Sequence, residues 1–70
     1  MKLYRVVRES YYDAGNRDQI HGVEVLYCGY DREEALRVYH QHAPECRGAA
    51  GAGNYGKRVR FGSKEVSVGV

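Results

Sequence analysis

The chain has 70 residues, a formal net charge of +2 and 29% charged residues. A chain of this length forms one small domain that buries only about 60% of the surface its unfolded form exposes. That size disfavours large enzymatic machinery, and the nearly balanced charge neither demands a nucleic-acid partner nor suits an acidic mimic of DNA. Core burial alone barely stabilises so short a chain, so homodimerisation stays open.

The first segment combines a strand with a polar loop. Residues 1–10 mix β-forming apolar residues with charges and predict the first strand. Turn-forming residues follow over 11–18 and predict a projecting loop, with Tyr11 and Tyr12 at its mouth and Arg17 nearby. Two tyrosines in such a loop are hard to bury, so these residues are candidates for a contact surface. Packing of both rings against the sheet edge is the alternative.

Residues 20–30 predict the second strand, because apolar and mixed positions alternate along them. The apolar side carries Val23, Val25 and Tyr27, and the mixed side carries Glu24, Leu26 and Cys28. One side of this strand is therefore strongly apolar, and Tyr27 is expected in the core.

The only predicted helix begins after Asp31, a good N-cap residue, and ends at Ala43-Pro44. Glu34 stands three residues after Asp31 and completes a capping-box pattern. A helical period predicts a buried side made of Ala35, Leu36, Val38, Tyr39, His42 and Ala43.

The second half adds a flexible segment and two more strands. The Gly/Ala-rich residues 47–54 predict a flexible loop. Alternation over residues 57–61 predicts the third strand, residues 62–64 a turn, and valines at period two a short last strand at 66–70. The expected architecture is a single α+β domain, a small antiparallel sheet with one helix packed on one face in the order ββαββ.

Residues 51–58 formally match the phosphate-binding patterns GxGxxG and GxxxxGK. Such loops need a strand before them and a helix after them, whereas here a coil precedes and a strand follows. Arg58 also stands where the second pattern needs Ser or Thr for Mg²⁺. A plain connector is the favoured interpretation, and no nucleotide or other cofactor is predicted.

Cys28, His40, His42 and Cys46 are the residues that a zinc site would use. His40 and His42 lie about 200° apart around the helix, whereas the ligands of one ion must converge. No acid–base pair can be placed beside either cysteine, so a nucleophilic enzyme is not expected either. We predict no metal, no catalytic residues and two reduced thiols.

Charged residues near the start, Lys2, Arg5 and Arg8, interrupt any apolar run. Neither a signal peptide nor a membrane-spanning segment is therefore predicted. The expected location is the cytoplasm.

The best nucleic-acid signal is a basic and aromatic stretch made of Tyr55, Lys57, Arg58, Arg60, Phe61 and Lys64. Arginines contact phosphates and tyrosines stack on bases. However, Phe61 is expected in the core and Glu65 dilutes the positive charge. A solvated strand face that protects a sheet edge from aggregation explains the same residues.

The arrangement of residues 1–7, then a polar loop, residues 21–25 and Asp31-Arg32-Glu33-Glu34-Ala35 resembles small phage-encoded anti-CRISPR proteins of type I systems. The resemblance covers residues 1–40 and carries over no individual binding residue. It implies a non-enzymatic protein, cytoplasmic in the host cell, that occludes the nucleic-acid-binding surface of a CRISPR effector complex.

The favoured function is thus a small non-enzymatic protein-binding module, because the charge is balanced and tyrosines dominate the expected surface. The resemblance implies that this module is a phage inhibitor. A small nucleic-acid-binding protein using the 55–64 strand is the alternative. The predicted contact residues are Tyr11, Tyr12, Arg17, Tyr55, Lys57, Arg58 and Arg60.

Overall fold

The computed structural model describes residues 1–67. Its elements are strand β1 (Lys2–Asp13), strand β2 (Asp18–Gly29), helix α1 (Arg32–His42), a short 3₁₀ turn (Ala43–Glu45) and strand β3 (Tyr55–Glu65). The three strands form one antiparallel sheet in the order β2-β1-β3. The predicted α+β class, with one helix beside an antiparallel sheet, is confirmed. The predicted order ββαββ is not, because residues 1–67 contain three strands in the order ββαβ.

The turn predicted at residues 62–64 is wrong, because those residues continue β3. Gly62 pairs with Arg5 and Lys64 pairs with Leu3, so the long central strand supplies a partner for each position. Val66 lies outside the strands and donates its N–H to the carbonyl oxygen of Met1 at 2.7 Å. The last three residues of the predicted fourth strand, 68–70, lie outside the described residues.

The projecting loop predicted at residues 11–18 is also wrong in its first part. Tyr11 and Tyr12 belong to β1, where each has a partner on β2 and another on β3. Pairing on both sides engages the backbone of these residues, and their aromatic side chains favour a strand. The actual turn spans residues 14–17 and is closed by Ala14 N–H donating to the Arg17 carbonyl oxygen at 3.0 Å.

A β-bulge in β2 changes which residues face the helix. Val6 pairs with Tyr27, but the next residue, Val7, pairs with Val25, so Leu26 is an extra residue. A bulge shifts the alternation of side chains by one position. Val25 and Val23 therefore lie on the opposite side of the sheet from Tyr27, contrary to the prediction that all three share one apolar side.

The start of α1 follows the predicted cap. The side chain of Asp31 accepts hydrogen bonds from the N–H groups of Glu33 at 3.0 Å and Glu34 at 3.3 Å. The N–H of Asp31 itself donates to the hydroxyl oxygen of Tyr27 at 3.3 Å. In a capping box, an acidic side chain three residues after the N-cap accepts this hydrogen bond, so the Tyr27 hydroxyl takes that role here. Tyr27 reaches this position across Gly29, where a Cβ atom would lie 2.6 Å from the tyrosine oxygen.

The core of the described chain is thin. Its buried apolar residues are Val6, Ala35 and Val59, surrounded by half-buried Tyr4, Leu26, Tyr27, Val38, Tyr39 and Phe61. The helix thus packs through Ala35, Val38 and Tyr39, which are three of the six residues predicted on its buried side. Leu36 is half-buried and lies outside that set, since it is about 100° away from Ala35 around the helix.

The Gly/Ala-rich residues 47–54 are attached to the ends of both neighbouring strands. Gly53 N–H donates to the Asp13 carbonyl oxygen at 2.7 Å, and Asp13 N–H donates to the Asn54 carbonyl oxygen at 2.9 Å. Arg47 pairs with Lys57 of β3 in an isolated antiparallel bridge. These bonds fix the two ends of the loop, and the predicted flexibility between them stays a prediction.

Candidate binding surfaces

The helix covers only part of the sheet. An 11-residue helix is about 16 Å long, whereas a 12-residue strand extends about 40 Å. The molecule accordingly measures 48 × 26 × 14 Å. Two areas stay uncovered: most of the sheet face opposite α1, and the distal end of the helix side, where β1 and β2 meet their turn.

We call the sheet face opposite α1 the open face. Paired residues of neighbouring strands share a face, and Val6 marks the helix side because it packs with Ala35. The open face therefore carries Leu3, Arg5, Val7, Glu9, Val23, Val25, Arg58, Arg60 and Lys64.

The open face combines uncovered apolar side chains with a shallow groove. Val23 and Val25 are 56% and 50% exposed, and Ile20 farther along β2 is 45% exposed. The groove has a volume of about 420 Å³, and the residues that line it include Leu3, Arg5, Val7, Glu9, Val23, Arg60 and Lys64. Adjacent exposed apolar side chains rimmed by charges are typical of an interaction surface.

The charges of the open face are organised around Glu9. Its carboxylate accepts from Arg58 Nε at 2.8 Å, and Arg60 NH1 lies 3.6 Å from the same oxygen. The hydrogen bond to Glu9 raises the pKa of Arg58. Among the described residues, Arg5 and Lys64 of this face form no ion pair, so cations outnumber acids on it.

Three rings meet at the distal end of the helix side and form what we call the aromatic cluster: Tyr12, His21 and Tyr55. The ring centroids of Tyr12 and Tyr55 lie 5.1 Å apart, those of His21 and Tyr55 5.3 Å, and those of Tyr12 and His21 6.2 Å. Tyr55 is 67% exposed. His21 is the extra residue of a second irregularity in the β1–β2 pairing, between Ser10 and Tyr11.

A second groove of about 600 Å³ lies beside the aromatic cluster, and the residues that line it are Ser10, Glu45, Arg47, Tyr55, Gly56 and Lys57. Its only acidic lining residue, Glu45, is already paired with Arg8 and with His42, whose Nδ1 lies 2.5 Å from Glu45 Oε2. The hydrogen bond from His42, followed by that from Arg8, lowers the pKa of Glu45. The free cations of this groove are thus Arg47 and Lys57, which form no ion pair within residues 1–67.

The predicted contact residues lie on different surfaces. Tyr12, Tyr55 and Lys57 lie on the helix side at its distal end, and Arg58 and Arg60 lie on the open face. Because successive side chains of a strand point to opposite faces, the sequence already places Lys57 and Arg58 on different faces of the sheet.

Tyr11 and Arg17 occupy different environments again. Tyr11 is half-buried, accepts from Ala49 N–H at 3.2 Å, and has the Arg58 guanidinium 4.9 Å from its ring centroid. Tyr11 lies two residues from Glu9 on the same side of β1, so it belongs to the open face, and its hydroxyl contacts the 47–54 loop at the distal end of that face. Arg17 is exposed in the turn between β1 and β2.

His21 and Arg47 were missing from the sequence-based set of contact residues. A bulge places His21 beside the tyrosines, and a backbone bridge across the loop places Arg47 beside Lys57. Neither feature leaves a local signal in the sequence.

The cysteines and histidines that a zinc site would use do not gather. Within residues 1–67 the structure brings together no group of three or more His, Cys, Asp or Glu side chains suited to a metal ion. Cys28 is exposed on the strand, and Cys46 Sγ accepts from Val59 N–H at 3.2 Å. In the described part of the chain, no helix has the length and apolar character needed to cross a membrane.

Comparison with known proteins finds no match to this chain among family models, curated proteins or solved structures. Function therefore has to be argued from the open face and the aromatic cluster.

Proposed function

We propose that the chain is a small non-enzymatic protein-binding module whose open face contacts the partner. The observation that carries this proposal is the exposure of Val23 and Val25, at 56% and 50%, on a sheet face with no covering layer. Sheets in small α+β domains normally bury their apolar positions against a second layer. A partner protein supplies that layer most simply.

The charge of the open face indicates the chemistry of the partner. Arg5, Arg60 and Lys64 surround the apolar positions, and Glu9 is the acid that faces them. Two copies of this face would bring like charges together, which disfavours self-association through it. The complementary surface is acidic with apolar side chains at its centre.

The resemblance to anti-CRISPR proteins names one class of partner, and we propose an inhibitory role on that basis. A channel that binds nucleic acid is lined by positive charge, so it would repel the positively charged open face. An inhibitor docked by this face would bind an acidic patch beside the channel and block the channel with the rest of the 48 Å domain. The expected cytoplasmic location in a host cell follows from the same proposal.

A stand-alone nucleic-acid-binding protein using residues 55–64 is the second candidate. Lys57 and Arg60 support it through their positive charge and exposure. The division of these residues between two faces weakens it as one continuous surface, since Arg58 and Arg60 also face Glu9. A smaller site on one face remains compatible with the basic residues.

An affinity pull-down from nuclease-treated bacterial lysate tests the proposal. The wild-type chain should retain a protein partner, and Val25→Glu on the open face should release it by adding a charge at the contact. The matched control is Gln41→Glu, which adds the same charge at an exposed helix position.

Loss of the partner with Val25→Glu but not with Gln41→Glu supports the open face. Equal capture by both variants contradicts it. Capture of no protein from the nuclease-treated lysate, together with recovery of nucleic acid from a parallel untreated lysate, would favour the second candidate.

A further inference from the structure

Two cations stand directly opposite each other at the edge of β3. Arg47 N–H donates to the Lys57 carbonyl oxygen and Lys57 N–H donates to the Arg47 carbonyl oxygen, both at 2.8 Å. Residues that exchange both hydrogen bonds in an antiparallel pair have side chains on the same face, about 5.5 Å apart at Cα. Like charges placed in this way destabilise a sheet. Both side chains are exposed, and neither forms an ion pair within residues 1–67.

The pair shares its groove with an aromatic surface. Tyr55 lies two residues before Lys57 on the same strand, so both side chains are on one side and about 7 Å apart along the strand. Tyr55 is 67% exposed. The centroid of its ring lies 5.1 Å from that of Tyr12 and 5.3 Å from that of His21, so the two neighbouring rings pack against it. Tyr55 is thus a supported but uncovered ring, which is the arrangement that stacks on a planar ligand.

We infer that the aromatic cluster and the Arg47–Lys57 pair form a binding site for single-stranded nucleic acid. A base stacks on Tyr55, and the adjoining phosphates lie between Arg47 and Lys57, where they relieve the repulsion of the two cations. The groove of about 600 Å³ joins the two features. This site lies on the helix side, so the inference is independent of the proposed protein contact on the open face.

The chemistry selects this ligand over other anions. An acidic peptide would satisfy Arg47 and Lys57 but would leave the exposed face of Tyr55 without a planar partner. Duplex DNA would present its phosphates but would keep its bases stacked inside. A single strand offers bases and phosphates together, and stacking on tyrosine tolerates any base.

Fluorescence anisotropy with labelled decathymidylate and decauridylate at about 50 mM salt tests the inference. Tyr55→Ala should weaken binding roughly tenfold through lost stacking, and Tyr55→Phe should keep affinity within about twofold because the ring remains. The double variant Arg47→Gln with Lys57→Gln should reduce the slope of log affinity against log salt by about 1.4, the value for two phosphate contacts with a single strand.

The charge-matched control is Lys2→Gln with Arg32→Gln, which removes two exposed cations away from the groove. It should leave the slope as in the wild-type protein. An equal loss of slope in the control would overturn the site, since the attraction would then be diffuse. Circular dichroism of each variant confirms that it is folded.

Three further results would overturn the inference. One is the absence of oligonucleotide binding by the wild-type chain. Another is competition by thymidine monophosphate that is as effective as competition by unlabelled oligonucleotide at the same concentration of nucleotides. The groove would then be a site for free nucleotides. The third is binding of a labelled polyglutamate peptide that is as strong as that of the oligonucleotide and as sensitive to Tyr55→Ala.

Discussion

Arg58 and Glu9 are directly paired residues of neighbouring strands, and their side chains meet on the open face at 2.8 Å between Nε and Oε1. The Glu9 side chain is 14% exposed and the Arg58 side chain 35% exposed. Arg58 also reaches Asp18, at 3.4 Å, and its guanidinium lies over the Tyr11 ring. One carboxylate thus positions the arginine that joins β3 to the turn end of β2.

Replacing Glu9 with Gln should lower the free energy of unfolding by about 1 kcal/mol. The change keeps the shape but removes the charge from a mostly buried, charge-assisted hydrogen bond, and exposure of Arg58 reduces the value of that bond. Urea denaturation measures the effect. Glu33→Gln removes an equal charge from an exposed residue, and it should cost only about 0.3 kcal/mol through the helix dipole. Equal losses in the two variants would contradict a specific role for Glu9.

Truncation of Val6 should destabilise the domain far more than truncation of Leu36. Val6 is fully buried at the centre of the core, so Val6→Ala should cost about 2 kcal/mol through lost burial and a residual cavity. Leu36 is half-buried outside the core set, so Leu36→Ala should cost about 1 kcal/mol or less. Thermal melts followed by circular dichroism compare the two. A larger loss for Leu36→Ala would mean that the helix packs through a different face.

The parts of the fold that depend on local signals were predictable. Asp31, the helical period and Ala43-Pro44 mark the helix because capping and backbone restriction act within a few residues. The strand faces were not predictable in β2, because the bulge at Leu26 depends on pairing with Val6 and Val7 of another strand. A one-residue shift separated Val23 and Val25 from Tyr27 and placed both valines on the open face.

The candidate sites depend on the same long-range pairing. Tyr12 and Tyr55 are 43 positions apart in the sequence, and they meet because β1 and β3 pair at those residues. Arg47 reaches Lys57 only because the loop between them folds back. Composition could point to tyrosines and cations as contact residues, but it could not group them by face.

Acidification should remove the stabilising contribution of Glu45. Its pKa is lowered by the His42 hydrogen bond and then by Arg8, relative to an ordinary glutamate near 4.3. A lowered folded-state pKa means that the contribution is present above the ordinary value and is lost as pH falls through the folded value. The melting temperatures of wild type and Glu45→Gln should therefore differ at pH 7 and converge in acid, as the pH falls through the lowered folded-state pKa of Glu45.

The control for this pH dependence is Glu33→Gln, since Glu33 is exposed in the first turn of the helix and forms no ion pair within residues 1–67. The difference between wild type and Glu33→Gln should stay small across the pH range. A difference between wild type and Glu45→Gln that persists unchanged into strong acid would show that the Glu45 carboxylate charge is not what stabilises the contact.

Adding one methyl group at Gly56 should disturb the distal end of the open face through Tyr11. A Cβ atom there would lie 2.5 Å from the Tyr11 ring and hydroxyl, so the ring must move. Tyr11 accepts from Ala49 N–H and lies beneath the Arg58 guanidinium, so its displacement loosens the loop and the charge pair together. Overpacking of this kind costs about 1–3 kcal/mol.

Gly22→Ala is the matched control for Gly56→Ala, because Gly22 is also a strand glycine but a Cβ there meets nothing within 4 Å. It should be neutral or slightly stabilising, since alanine reduces the entropy of the unfolded chain. Urea denaturation ranks the two variants, and amide hydrogen exchange at Ala49 reports the loop directly. Slow exchange at Ala49 in Gly56→Ala, as in the wild type, would show that Tyr11 does not hold the loop. A general loss of stability would speed amide exchange throughout the domain. Release of the Tyr11 contact predicts instead that exchange at Ala49 speeds up more than exchange at the amides of β3, so the two measurements together distinguish these explanations.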